Sequence, residues 1–145
     1  AEVTGGDVIT EARQWIGTRW QHQASLKGVA CDCVGLIRGV YRELTGINIE
    51  VPIDYPATWH LFKEEPWLYT EFQKYLREIP LQEATAGDIL VFKMRPRFVA
   101  HHCGFLTKED TLIHAFAEVQ KVVEVGYDEN WRKWAVAAFR FWEVD

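Results

Sequence analysis

Residues 29–35 read VACDCVG, with two cysteines flanking one aspartate just ahead of an apolar helical pattern. A thiol in that setting can be a metal ligand, half of a disulfide or a nucleophile. As a nucleophile it must ionise, and the open amides and macrodipole of a helix N-terminus favour the thiolate. With Asp32 as the N-cap, Cys33 falls on the first helical position. Cys31 precedes the helix and lacks that benefit. The plainer alternative is that Cys33 is a buried apolar residue on the helix face.

A nucleophile also needs a base. The histidines are His22, His60, His101, His102 and His114. His102 and His114 fall on two neighbouring predicted strands, and their separation of 12 residues is even. A hairpin symmetric about Lys108 sets them directly opposite on one face, with Cβ atoms about 4.5–5.5 Å apart. A three- or five-residue connection gives that parity. A four-residue loop made of Thr107–Asp110 puts the two rings on opposite faces. His101 and Cys103 then point away from His102, because strand side chains alternate. In this arrangement one imidazole takes the thiol proton and the other orients it, in the chain order Cys, His, His.

Zinc is the rival chemistry. Cys31, Cys33, Cys103, His101 and His102 are ligand types, but the chain has no C-x-x-C pair, and adjacent strand residues point apart. No metal and no cofactor are expected. The 3 cysteines are an odd number. A bridge between Cys31 and Cys33 would close a strained, very small loop, so at least one thiol is expected free.

These groups need elements to hold them. Residues 7–16, DVITEARQWI, have helical apolar spacing, with Asp7 as the expected cap and Gly17 as the expected stop. Residues 33–45 predict a second helix with Cys33, Leu36, Ile37, Val40, Tyr41 and Leu44 on one face. Asp32 opens it and Gly46 closes it. Gly35 and Gly39 lie elsewhere on that helix and would let a neighbour approach closely. Residues 47–66 carry three prolines and read as irregular connection. Residues 67–78 suggest a third helix, with Trp67 or Leu68, Phe72, Tyr75 and Leu76 inward. The period then changes. Residues 87–92, 101–106, 111–116, 119–125 and 137–144 read as strands, with TKED as the turn between the second and third. Helices first and strands after predict an α+β fold with helices packed on an antiparallel sheet.

The 145 residues are expected to form one domain, 1–145. A net charge of −5 and a pI near 5.5 argue against nucleic acid, which requires a basic face. The apolar runs are too short to span a bilayer, so no membrane insertion is expected. No charged segment followed by an apolar one opens the chain, so synthesis in the cytoplasm without a secretory signal is expected. Aromatics reach 14%, including 7 Trp, which fits a Trp-rich core or a ring-lined cleft.

Taken together, ARQWIGTRW, CDCVGLIRGVYRELTG, AGDILVF, HHCGFL and LIHAF resemble the NlpC/P60 cysteine peptidases. Asp32-Cys33-Val34-Gly35, Gly87-Asp88, His102-Cys103-Gly104 and Ile113-His114-Ala115 match the family pattern in order and spacing, over residues 7–116. The resemblance implies a papain-like α+β core, with Cys33 as nucleophile, His102 as base and His114 as the orienting residue. It implies peptidoglycan stem peptides as substrates, commonly at the D-γ-glutamyl–diaminopimelate bond, with Asp32 and Trp20 as substrate contacts. The CDC and HQAS stretches look closer to the stand-alone tail peptidases of phages and gene transfer agents. That implies tail-tip or hub proteins as partners, and a particle-borne enzyme acting in the periplasm or cell wall. Departures from the pattern are Trp20 for Tyr, Arg19 for Pro, Val34 for Ser, and His22-Gln23 in place of a Trp-Gly-Gly stretch. Those positions contribute to substrate contacts in the family, so the resemblance does not fix bond specificity. Two other readings stay open: a non-catalytic tail-tip module, and an amidase or acyltransferase using the same three residues.

Overall fold

A computed structural model describes residues 3–50, 67–94 and 102–144. His60, His101 and the proline-rich tract 51–66 lie outside the described residues.

Helix α1 spans Gly5–Arg13. Its cap is Thr4 and not Asp7. The Thr4 hydroxyl accepts from the Asp7 amide at 3.0 Å, and the Asp7 carboxylate accepts from the Thr4 amide at 3.0 Å. Thr4 takes the cap because Asp7, three residues on, completes a reciprocal box. The helix also ends earlier than the apolar spacing implies. Residues 14–17 turn, and Gly17 adopts φ +92° while its amide bonds to the Val122 carbonyl at 2.9 Å. The short strands β1 (Arg19–Trp20), β2 (Ser25–Leu26) and β3 (Ala30–Cys31) follow.

Helix α2 runs Cys33–Thr45, opened by Asp32 and closed by Gly46 at φ +77°, as its sequence predicts. Leu36, Ile37, Val40 and Tyr41 are buried, while Cys33 and Leu44 sit half-buried at the margin. Gly39 receives the ring of fully buried Trp15: a Cβ there would stand 2.0 Å from the indole. The indole N–H is satisfied by Glu11 at 2.9 Å, which also pairs with Lys27 at 2.8 Å.

Helix α3 covers Trp67–Tyr75, shorter than expected, with Leu68 and Phe72 buried and Leu76 buried just beyond it. Tyr75, expected inward, is exposed. Arg77–Ile79 leaves the helix to form β4, whose ladder with a later strand outweighs local helical preference. The remaining elements are β5 (Ile89–Phe92), β6 (His102–Leu106), β7 (Thr111–Phe116), β8 (Lys121–Gly126), α4 (Glu129–Arg132) and β9 (Ala135–Arg140). The last strand begins two residues earlier than expected and stops at Arg140, and α4 is not foreseen by the apolar pattern. Among the described residues the strands form one sheet, ordered β2-β3-β1-β8-β7-β6-β5-β9-β4. Its ladders are antiparallel except β1 with β3.

The sheet has two differently covered faces. Val91, Cys103, Phe105, Ile113 and Ala115 share the core with α1, α2 and α3. Leu90, Phe92, Leu106, Leu112 and Tyr127 face the other way, with Trp131 and Trp134 packed on them. Arg140 on β9 clamps buried Asp88 at the start of β5 through two bonds of 2.8 and 2.9 Å. One carboxylate oxygen of Asp88 also takes the Thr85 amide at 2.8 Å.

Gly39 provides a test with a counterintuitive sign. Helix propensity alone predicts that Gly39→Ala stabilises α2 by roughly 1 kcal/mol. The buried Trp15 ring occupies the space, so overpacking should dominate, with a net loss of about 1–3 kcal/mol in urea unfolding. A gain in midpoint at unchanged slope would refute the Trp15–Gly39 contact.

Candidate active site

The start of α2 is held from two sides. The Asp32 carboxylate accepts the Gly35 amide at 2.7 Å, as a cap, and the Gln23 amide at 2.7 Å through its other oxygen. The Asp32 amide in turn donates to the Ala24 carbonyl at 3.2 Å, and the Ser25 hydroxyl donates to the Gly35 carbonyl at 2.7 Å. The loop 21–25 is therefore strapped across the first turn. Gly35 is required there, because a Cβ would lie 1.8 Å from the Ala24 carbonyl oxygen. Gln23 takes φ +66° to aim its amide at Asp32. His22 Nδ1 stands 3.9 Å from the same carboxylate.

On the sheet side, the Cys103 thiol donates to the Cys33 carbonyl at 3.5 Å. This pins the helix start to β6, one residue beyond His102. The three cysteines differ sharply. Cys31 is fully buried, and burial, with the neighbouring Asp32 and Cys33, pushes its thiol up to about 12. Cys103 is also buried, and burial pushes its thiol well up, with bonding to Cys33 adding to the effect. Both stay protonated at neutral pH. Cys33 is the one thiol open to solvent.

The two histidines meet on the opposite face. His102 Nε2 and His114 Nδ1 are 2.7 Å apart. The expected parity holds, but the register differs. Phe105 pairs with Ile113 and Leu106 with Leu112, so the hairpin is symmetric about Glu109, not Lys108. The turn is the three-residue connection Lys108–Asp110, with Asp110 at φ +61° and the Thr107 amide on the Thr111 carbonyl at 2.9 Å. The pair is consequently diagonal. Gly104 occupies the position opposite His114, where a Cβ would come within 2.8 Å of the His114 Cβ. The missing side chain at Gly104 is what lets the imidazoles reach each other.

The pair sits in an aromatic cage. Phe116 stacks on His114 with centroids 4.9 Å apart and planes at 19°, and Trp131 stands perpendicular to it at 4.9 Å. Phe92 and Trp131 each lie 6.0 Å from the His102 ring. Burial lowers the His114 imidazole to about 4, so this ring is neutral near pH 7. The spacing of Cys and His does not reveal Phe92, Phe116 or Trp131. The only sequence signal for them is the high Trp and aromatic content.

Trp20 lies on β1 beside Cys31 in the parallel ladder, half-buried against the helix-side core. Asp32 is only 4% exposed, with both oxygens on backbone amides. Its geometry is that of a structural cap. Among the described residues, no group of three or more His, Cys, Asp or Glu is placed to hold a metal, and no helix is long and apolar enough to cross a membrane.

The site thus joins a thiol at a capped helix start to a sheet that carries a bonded histidine pair. The chain belongs to the NlpC/P60 family, whose model matches residues 14–140. Solved structures agree on the fold. The NlpC/p60 domain of the peptidoglycan hydrolase SagA superposes with a TM-score of 0.67 at 21% identity, over 96% of this chain and 100% of that domain. An NlpC/P60 family protein from Bacillus cereus gives 0.68 at 17% identity, over 97% of this chain but 41% of its own. RipD from Mycobacterium tuberculosis, a non-catalytic member adapted to peptidoglycan binding, gives 0.59 at 14%, over 97% and 98%. Among curated proteins, none matches the sequence significantly.

The burial of His114 makes stability depend on pH. Its folded value near 4 lies below the ordinary 6.5, so the unfolded chain binds the proton more readily. The contribution is complete above about pH 6.5, is lost as pH falls toward 4, and is flat below that, for a total of roughly 3 kcal/mol. Urea unfolding of the wild type should therefore weaken across this window by about that much more than His114→Gln does. Parallel curves for the two proteins would remove His114 as the cause.

Proposed function

We propose that this chain is a cysteine peptidase acting on peptidoglycan stem peptides, with Cys33 as nucleophile, His102 as base and His114 as the residue that orients it. The observation that carries this reading is the 2.7 Å bond between the imidazoles, on the strand to which the start of α2 is pinned. His102 opens β6 and is followed by Cys103, whose thiol bonds the Cys33 carbonyl, so the proposed reaction centre lies at the first residues of that strand.

In the proposed reaction the Cys33 proton passes to His102, and the sulfur lone pair attacks the substrate carbonyl carbon. The carbonyl oxygen becomes an oxyanion, stabilised by amides of the open first turn of α2, among which the Cys33 amide is nearest the thiol. Collapse breaks the C–N bond, the amine leaves with the proton from His102, and a thioester remains. Water then attacks, gives its proton to His102, and releases the acid as Cys33 regains its proton. Asp32 acts through the helix start. Trp20 is offered as the substrate contact, as an N–H donor beside the nucleophile's loop. The scissile bond we favour is the D-γ-glutamyl–diaminopimelate type.

The membership of RipD in the same fold favours one competing reading, a wall-binding module without turnover. Digestion of defined muropeptides with mass-spectrometric readout separates the two and identifies the bond. Cys33→Ala should abolish hydrolysis with an unchanged circular dichroism spectrum, and Cys31→Ser should lose far less. His102 substitutions should cost more than His114 substitutions, because the base moves the proton and its partner only aims it. Turnover retained in Cys33→Ala removes the thiol mechanism. Intact muropeptides after treatment with the wild type, together with wall binding, select the module.

We further propose that the enzyme is carried at the tip of a phage-like tail. The support is the CDC and HQAS resemblance together with a net charge of −5, which gives little attraction to an anionic wall and leaves delivery to a carrier. Antibody detection in purified particles should find it. Its presence free in cells or medium and in no particle preparation would overturn this.

A further inference from the structure

The histidine pair admits two proton arrangements, and its surroundings distinguish them. One nitrogen of the 2.7 Å contact must donate and the other accept. If His114 Nδ1 donates, His114 Nε2 is left as a bare lone pair. Nε2 is buried and has no hydrogen-bond partner among the described residues. Around it are ring systems: Phe116 stacked at 4.9 Å and Trp131 at 4.9 Å with planes at 87°. Among the described residues no donor, the Trp131 indole N–H included, bonds to Nε2, and the negative faces of rings repel a lone pair. An N–H is attracted to a ring face, and perpendicular rings at this separation permit that contact.

We propose that Trp131, with Phe116, is a positioning residue that holds His114 as its Nε2–H tautomer. Its Nδ1 is then the acceptor, the His102 proton is fixed on Nε2, and His102 Nδ1 becomes the basic nitrogen that takes the Cys33 proton. When that proton arrives, His102 is an imidazolium that still donates from Nε2 to His114, and no bond has to reverse. The inference rests on His102 as the base and adds how its productive tautomer is chosen. The device is built from sequence far from the motifs. Asp128 caps α4 by accepting the Asn130 and Trp131 amides at 3.0 and 3.2 Å, which fixes where the indole stands.

Long-range proton–nitrogen NMR on the labelled wild-type protein near neutral pH reads the tautomers directly. His114 should carry its proton on Nε2, shifted upfield by the indole ring current, and His102 should carry its proton on Nε2 as well. A proton on His114 Nδ1 overturns the proposal, whatever the activity. Kinetics give the second arm. Trp131→Leu should lower kcat roughly three- to tenfold with KM little changed, and Trp131→Phe, which restores a ring face, should recover most of it. Equal losses in both variants, or a change confined to KM, would also overturn it. If Trp131→Leu does not fold, the wild-type spectrum decides alone. A wild type inactive on muropeptides but showing the predicted tautomers would reject the hydrolase reading and leave the assignment of the pair intact.

Discussion

One buried carboxylate holds the site together. Asp32 accepts the Gly35 amide from the helix it caps and the Gln23 amide from the loop before it, each at 2.7 Å. A cap alone contributes about 0.5–2 kcal/mol. The second bond adds no comparable amount to the helix, but it fixes the loop relative to the first turn. Every further strap depends on that alignment: the Ser25 hydroxyl on the Gly35 carbonyl, the Asp32 amide on Ala24, and the Arg42 guanidinium on the Ser25 carbonyl at 2.8 Å. The HQAS stretch is thus the band that wraps the start of α2. It can lie there only because residue 35 has no side chain.

The sheet separates two chemical environments. The helix side holds the cysteines, of which two are buried as thiols and one reaches solvent. The other side holds the imidazoles inside an apolar, ring-lined shell. Desolvation there keeps His114 neutral, which fits the acceptor role proposed for it beside a His102 imidazolium. The same shell strengthens the bond between the two rings, since a hydrogen bond in a low-dielectric interior is screened less than one in water.

What the sequence made legible follows physical range. The α2 boundaries were readable because a cap and an αL glycine are local signals, and both Asp32 and Gly46 stand where they were expected. The parity of His102 and His114 was readable because strand alternation admits only two outcomes. Their register was not, because Asp110 entering the left-handed region decides whether the hairpin centres on residue 108 or 109. Helix α1 was displaced for a similar reason: Thr4 and Asp7 satisfy each other, a reciprocity that a single cap residue does not reveal. The end of α3 and the start of β4 depend on pairing with β9, more than fifty residues away, which no local window contains. Trp131 was invisible for the same reason, since only the folded sheet brings α4 over the hairpin.

Trp20 shows how a departure from a family pattern acquires a physical meaning. Its backbone is held on both sides: in the parallel ladder with Cys31, and through its amide on the Gln120 carbonyl at 2.9 Å, where Gln120 turns at φ +61°. The position is rigid, so the change from a phenol to an indole alters chemistry more than placement. A phenol hydroxyl both donates and accepts, whereas an indole donates only. In the substrate role proposed for Trp20, a group lying against it must therefore present an acceptor or an apolar surface. A substrate donor would have to find its acceptor elsewhere on the loop that Asp32 holds. The departures at Trp20, His22 and Gln23 cluster on that one loop and its flanking strand. In the proposed function they mark the part of the site where recognition can change while the cap, the thiol and the imidazole pair keep their geometry.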